Sequence, residues 1–251
     1  MLRDKRMIYF LFIKRIRTGL LRRLVCFVEN RAKKKLQKNL GLWNELCLYL
    51  EKTQSTGCSF IDYFVLYSYI KKNKPTEVLE CSTGVSTIVM AHAMMENEKE
   101  GFSGGRITSL EESFEYCNLA RELLPDHLLK YVEILHRNKV EAYHYFYRGV
   151  KYDNKPVRDY DFVFVDGPTT SAPSDGQKTF DFDLIEVVSK SKIPVSAIVD
   201  CRKSTCYVFG KVFGKNKVRY DNIRSLGFVD SCIKSDLRKT NDIVSSYKDL
   251  K

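Results

Sequence analysis

From Pro75 onward the sequence predicts an α/β domain, a mostly parallel sheet with helices on both faces that ends in an antiparallel hairpin and is preceded by an N-terminal helical extension. Three observations carry that expectation. Short apolar runs of strand length alternate with helix-period patterns, as in a parallel sheet covered on both sides. The first run, in Glu77-Val-Leu-Glu-Cys-Ser-Thr-Gly-Val-Ser-Thr87, passes through a glycine turn into a helical pattern, and glycine opens backbone conformations closed to bulkier residues. Acidic residues then recur at the carboxyl ends of the apparent strands: Glu80, Glu111 with Glu112, Asp166 and Asp200.

Taken in order, residues 1–40 form a basic amphipathic extension, with thirteen Lys/Arg against Asp4 and Glu29. That excess equals the whole net charge of +11, so the remaining chain is formally neutral. A neutral body is not the footprint of a nucleic-acid groove. Ile13, Ile16, Leu20, Leu24 and Phe27 recur at helical spacing, while the apolar run 7–13 is far short of the roughly 20 residues that cross a bilayer. Three readings of this segment stay open: a helix in residues 1–30 lying on an anionic membrane surface, a mitochondrial-type presequence, or a solvated extension. The lack of serine before Ser55 counts against the second.

Residues 41–74 read as a helical lead-in packed on the body. Leu36, Leu40, Trp43, Cys47 and Leu50 share one stripe, and Ser59 is an N-cap for a helix over 60–72. The tyrosines at 63, 67 and 69 belong to the core in one reading and line a pocket in the other.

Residues 75–251 make the α/β domain. Strands are expected at 77–80, 106–110, 132–135, 160–165 and 195–199, with helices over 88–95, 114–124 and 182–189. Residues 96–105 and 169–177 read as surface loops, and Gly227–Ile233 with the preceding 209–226 region as the hairpin. Eight cysteines show no Cys-x-x-Cys pair and no histidine at zinc spacing, which suits reduced core thiols; with no Asn-x-Ser/Thr sequon, a cytoplasmic setting is expected.

In open α/β sheets ligands bind outside the carboxyl ends of the strands, and an acid closing the second strand can accept hydrogen bonds from a ribose diol. Glu111 stands there, 27 residues beyond Gly84. Together Glu80-Cys-Ser-Thr-Gly-Val-Ser-Thr87, Ser109-Leu-Glu-Glu112 and Asp161-Phe-Val-Phe-Val-Asp-Gly-Pro168 resemble the class I S-adenosylmethionine-dependent methyltransferases, over roughly residues 75–235. The resemblance implies a Rossmann-like fold and S-adenosylmethionine as cofactor. It also implies contacts from Glu80, Ser82, Thr83, Gly84, Ser86 and Thr87 at the first turn, Glu111 on the ribose, Asn138 in the 136–140 stretch near the adenine, and Asp166 facing the methyl-transfer centre. In that family the first motif usually reads acid-x-Gly-x-Gly, and here Ser82 stands at the first glycine.

Methyl transfer asks the protein to align a nucleophile with an activated methyl group and to take up its proton. Asp166 and Asp200, ending two successive expected strands, could act as the base or hold a divalent cation. Some relatives bind a metal at these strand ends with a neighbouring Asp or Asn, where this chain has Cys201. His136 reads as an adenine-side loop residue, and Arg202 and Lys203 as contacts to an acidic acceptor or as solvated surface. The expected acceptor is a hydroxyl on a small molecule or glycan. Two alternatives are an RNA methyltransferase recruited by the basic tail and a non-catalytic scaffold that keeps the fold.

Overall fold

The computed structural model describes residues 19, 21–53 and 59–239. The apolar run 7–13, most of the basic N-terminal pattern, the 54–58 stretch and the C-terminal 240–251 lie outside the described residues. Among those described, no helix is long and apolar enough to cross a membrane.

Three helices precede the sheet: α1 (21–36), α2 (Leu40–Lys52) and α3 (Phe60–Asn73). Of the N-terminal apolar stripe, Leu24 and Phe27 lie on the surface of α1. The stripe expected through Leu36, Leu40, Trp43, Cys47 and Leu50 is broken: residues 37–39 form a turn, α2 restarts at Leu40, and its buried face is Leu42, Leu46 and Tyr49. Helical spacing cannot carry a face across such a break, so Leu40 is left exposed while Leu36 is buried on α1. Asn39 caps α2 by accepting from the N–H of Leu42. Ser59 caps α3 as expected, in a reciprocal capping box with Asp62. Glu29 of α1 reinforces the same end, its carboxylate accepting from the N–H groups of Phe60 and Ile61 at 2.8 and 3.1 Å.

The α/β unit follows as β1 (Glu77–Cys81), α4 (Val85–Lys99), β2 (Arg106–Glu111), α5 (Phe114–Leu123), a 3-10 turn (Asp126–Tyr131), β3 (Val132–His136), β4 (Lys139–His144) and β5 (Tyr147–Tyr152). Then come β6 (Phe162–Val165), β7 (Phe180–Asp181), α6 (Asp183–Lys190), β8 (Val195–Asp200), α7 (Lys203–Val212), β9 (Val218–Asp221) and β10 (Leu226–Cys232). The main sheet has seven strands in the order β3-β2-β1-β6-β8-β10-β9. Its first five strands pair in parallel, and β10 runs antiparallel to both β8 and β9. The fold is therefore doubly wound and Rossmann-like, with a terminal antiparallel hairpin.

Alternation along the strands divides the core in two. Phe162 and Phe164 of β6 point to one face, under α2, α3 and α4, and Val163 and Val165 to the other, under α6 and α7. A strand buried on both sides reads as an unbroken apolar run, which is why Phe-Val-Phe-Val stands out in the sequence. The tyrosines of α3 join the first core: Tyr63 is buried, Tyr69 stacks on Phe162 with ring centroids 4.2 Å apart, and Tyr67 donates to Glu96.

Three departures from the expected elements matter. Helix α4 continues through Lys99 rather than stopping at 95. The 209–226 region is not all hairpin, since Phe209 lies in α7 and the returning strand begins only at Val218. Residues 139–152, which carry no clear sequence pattern, form the β4–β5 hairpin, and β7 adds to it in parallel to make a second, three-stranded sheet. β4 is neither buried nor alternating, and its Glu141 is held by Arg148 of β5 at 2.9 Å, so charge pairing replaces the apolar period a reader of sequence looks for.

Candidate functional site

Strand order reverses between β1 and β6, and the crevice outside the carboxyl ends at such a reversal is where doubly wound sheets take ligands. A cavity of about 400 Å³ opens there, lined by Ser82, Glu111, Glu112, Ser113, Tyr116, Tyr152, Asp166, Gly167, Pro168, Thr169 and Arg202. A second, of about 550 Å³, adjoins it and shares Asp166, Thr169 and Arg202, adding Thr170, Lys178, Asp200, Cys201, Lys203 and Ser204.

The turn after β1 floors the first cavity. Ser82 adopts φ +100°, a region that disfavours side chains, and Gly84 adopts φ +153° at the entry to α4. Neighbouring bonds hold Ser82 in place: its N–H donates to the carbonyl of Leu110 at 2.8 Å, and its own carbonyl accepts from Ser109 Oγ at 3.0 Å. The serine thus takes a glycine-like backbone, with β2 supplying the restraint.

Glu80, Ser86 and Thr87, expected against a cofactor, face inward instead. Glu80 is completely buried and accepts from Ser86 Oγ and Thr87 Oγ1, both at 2.6 Å. A buried carboxylate needs such partners, and here the nearest are the first residues of the following helix. Burial pushes its carboxyl up to about 7, against the opposing hydroxyl hydrogen bonds. Thr87 Oγ1 also accepts from the N–H of Gly84 at 3.0 Å, so the set works as a clamp that shapes the turn from behind. Thr83 contributes through its backbone, whose N–H reaches Glu111.

Glu111 closes β2 and lines the cavity. Its carboxylate accepts from the N–H of Ser113 at 2.8 Å and from those of Thr83 and Glu112, which fix its direction; burial holds it above the usual carboxylate range. Glu112 is engaged elsewhere, accepting from the N–H of Thr169 at 2.7 Å and lying 3.4 Å from Lys139 Nζ. Asn138 lines neither cavity: it is exposed and its N–H donates to Asp153 Oδ1 at 3.1 Å. The β4–β5 hairpin, absent from the sequence reading, draws it to that partner. His136 lies 3.1 Å from the carbonyl of Glu112 and edge-on to Phe114, away from the second cavity.

Asp166 belongs to both cavities and hydrogen-bonds Asp200, which is 5 % exposed. A hydrogen bond between two carboxyl groups requires that one carry a proton. Burial raises Asp200 above its ordinary range. Burial and the adjacent Asp200 push the Cys201 thiol up to about 12, which keeps it protonated.

Three contributions were hidden in the sequence. Arg202, which lines both cavities, is also a clamp: it donates to Asp181 and to the carbonyl of Pro168 at 2.7 and 2.9 Å, and to the carbonyl of Asp166. Asp181 of β7, wholly buried, also accepts from Thr205 Oγ1 at 2.6 Å. Tyr152 of β5 reaches the floor, where a Cβ on Gly167 would lie 2.6 Å from its hydroxyl and 3.2 Å from Ser82 Cβ. The close-packed Gly167 follows Asp166 at the end of the clearest strand, and that position was the available signal.

No family model matches the chain, and no curated protein matches it. Among solved structures it is similar to a methyltransferase from Geobacter sulfurreducens (12 % identity, 77 % of this chain and 89 % of that one, TM-score 0.47). It is also similar to a methyltransferase-like protein from Silicibacter pomeroyi (12 %, 75 % and 92 %, 0.45). A third is a SAM-dependent methyltransferase from Aquifex aeolicus (15 %, 63 % and 82 %, 0.39). Likeness at this level assigns no residue and no substrate. Fold and side chains of this chain define a crevice at the switch point of a doubly wound sheet, with an acid pair beside it.

Proposed function

We propose that the chain is a class I S-adenosylmethionine-dependent methyltransferase that methylates a hydroxyl on a small molecule or glycan. The observation that carries this reading is the placement of Glu111. A carboxylate aimed by three backbone N–H groups lines a cavity at the strand-order reversal, above a turn in which Ser82 adopts a glycine-like φ. The residues fit the cofactor. Glu111 would accept from the ribose hydroxyls, the backbone of the 82–84 turn would meet the amino-acid end, and Tyr116 offers a ring at the rim. The bound cofactor supplies a sulfonium methyl, already activated for transfer.

The second cavity would take the acceptor. Its shared wall, Asp166, and the buried Asp200 form a proton-sharing pair that can remove the hydroxyl proton as the methyl group is transferred. Arg202, anchored on Asp181, holds the backbone of Asp166 and Pro168 so that the carboxylate keeps its position between the two cavities.

Calorimetric titration with S-adenosylhomocysteine tests the reading: saturable binding at one site per chain is expected, and no heat from folded protein would remove its basis. Glu111→Ala should weaken that binding about 10- to 100-fold, the worth of hydrogen bonds to a charged group. Undiminished binding in this variant would overturn the ribose assignment.

A further inference from the structure

A second cluster lies away from both cavities, where α2, α4 and the 3-10 turn meet. Glu45 of α2 reaches His92 of α4, with Oε2 3.1 Å from Nδ1, and His127 of the 3-10 turn, with Oε1 2.9 Å from Nε2. One ligand atom from each of the three residues lies within 4.8 Å of the others, the one such group found among the described residues. In a tetrahedral zinc site, bonds of about 2.0–2.2 Å place neighbouring donor atoms about 3.3–3.5 Å apart. Each imidazole meets its own oxygen of the Glu45 carboxylate, at 3.1 and 2.9 Å, so both rings already converge on one carboxylate, and His127 is half-exposed.

The surroundings of His92 point the same way. Its other ring nitrogen, Nε2, lies 3.4 Å from Glu96 Oε1. Glu96 is itself fixed by Asn39, the cap of α2, and by the hydroxyl of Tyr67 at 2.6 Å. Metal-binding histidines characteristically give their second N–H to such a carboxylate, which leaves the first nitrogen's lone pair directed at the ion. With Nε2–H given to Glu96, Nδ1 would set a lone pair against a Glu45 oxygen, an arrangement that calls for a cation or a second proton between them. Gly41 makes room for the ring, since a Cβ there would lie 3.3 Å from His92 Cε1.

We propose that Glu45, His92 and His127 form a binding site for a divalent transition-metal ion of the zinc type, clamping α2 to α4 and to the 3-10 turn, with Glu96 orienting His92. Two imidazoles and a carboxylate suit zinc, cobalt and nickel better than magnesium or calcium. A fourth ligand would be water, since the His127 side chain is half-exposed.

The test uses the full chain, stripped with a chelator and titrated with Co²⁺. One Co²⁺ per chain is expected, with the intense visible absorption of a tetrahedral site, displaced by Zn²⁺. His127→Ala, at the exposed ligand, should lower the affinity tenfold or more, and Glu96→Gln by about 10- to 100-fold through the orienting contact. His127→Cys should keep stoichiometric binding and add a thiolate-to-cobalt charge-transfer band, a readout independent of how well the alanine variant folds. Asp200→Asn should leave the titration unchanged. The proposal falls if the wild-type chain shows no saturable tetrahedral spectrum. It falls equally if His127→Cys binds without the new band, or if Asp200→Asn abolishes binding.

Discussion

The inward clamp at Glu80 makes a sharp prediction about pH. Glu80 is completely buried, and burial pushes it up to about 7 from an ordinary 4.5. The fold therefore prefers the protonated carboxyl. Its contribution to stability is complete below the unfolded value and is lost as pH rises through about 7. At about 1.36 kcal/mol per pKa unit, the share due to Glu80 should be about 3 kcal/mol lost over that interval, after which it levels off. Glu80→Gln keeps the size of the side chain and a hydrogen-bonding partner for Ser86 and Thr87, but its amide has no charge to lose. Asp62 and Asp181, raised by burial to about 7 and about 6, shift in the same direction in both proteins and cancel in the difference. Urea unfolding of the two proteins at steps from about pH 5 to about pH 8 should give curves that diverge toward high pH, with the variant the more stable there. Parallel pH profiles would show that Glu80 ionises alike in the folded and unfolded chain, and the clamp as described would be wrong.

Three further outcomes follow from the site. Ser82→Gly should relieve the strain of φ +100°, worth about 1–3 kcal/mol, less about 0.5–1 kcal/mol for the freer unfolded chain, so its thermal midpoint should rise. Gly167→Ala should lower stability by about 1–3 kcal/mol, because the added methyl meets the Tyr152 hydroxyl, the Cys81 carbonyl and Ser82, and it should also weaken S-adenosylhomocysteine binding by shifting the cavity floor. If the Asp166–Asp200 pair takes up the acceptor's proton, the rate of the wild-type enzyme should rise with pH through a value above the ordinary carboxylate range, and Asp200→Asn should remove that rise.

The layered α/β architecture is legible in the order of residues, because strands buried on both faces must be continuous apolar runs and these punctuate the chain from Val78 to Val199. The order of residues also pointed to the carboxyl ends of those strands through Glu111, Asp166 and Asp200, where the two cavities open. Tertiary structure alone decided which acids face a cavity. Glu80 pairs with Ser109, two residues short of Glu111 in the sheet register, so Glu80 finds the hydroxyls of Ser86 and Thr87 within the fold while Glu111 finds backbone N–H groups at the rim. Contacts between residues distant in the chain have no local pattern, which is why Arg202 on Asp181 and the β4–β5 hairpin could not be read in advance. The same holds for Glu45, His92 and His127: they are scattered over 83 positions, at no metal-binding spacing, and only the packing of α2 and the 3-10 turn on α4 brings their donor atoms to one point.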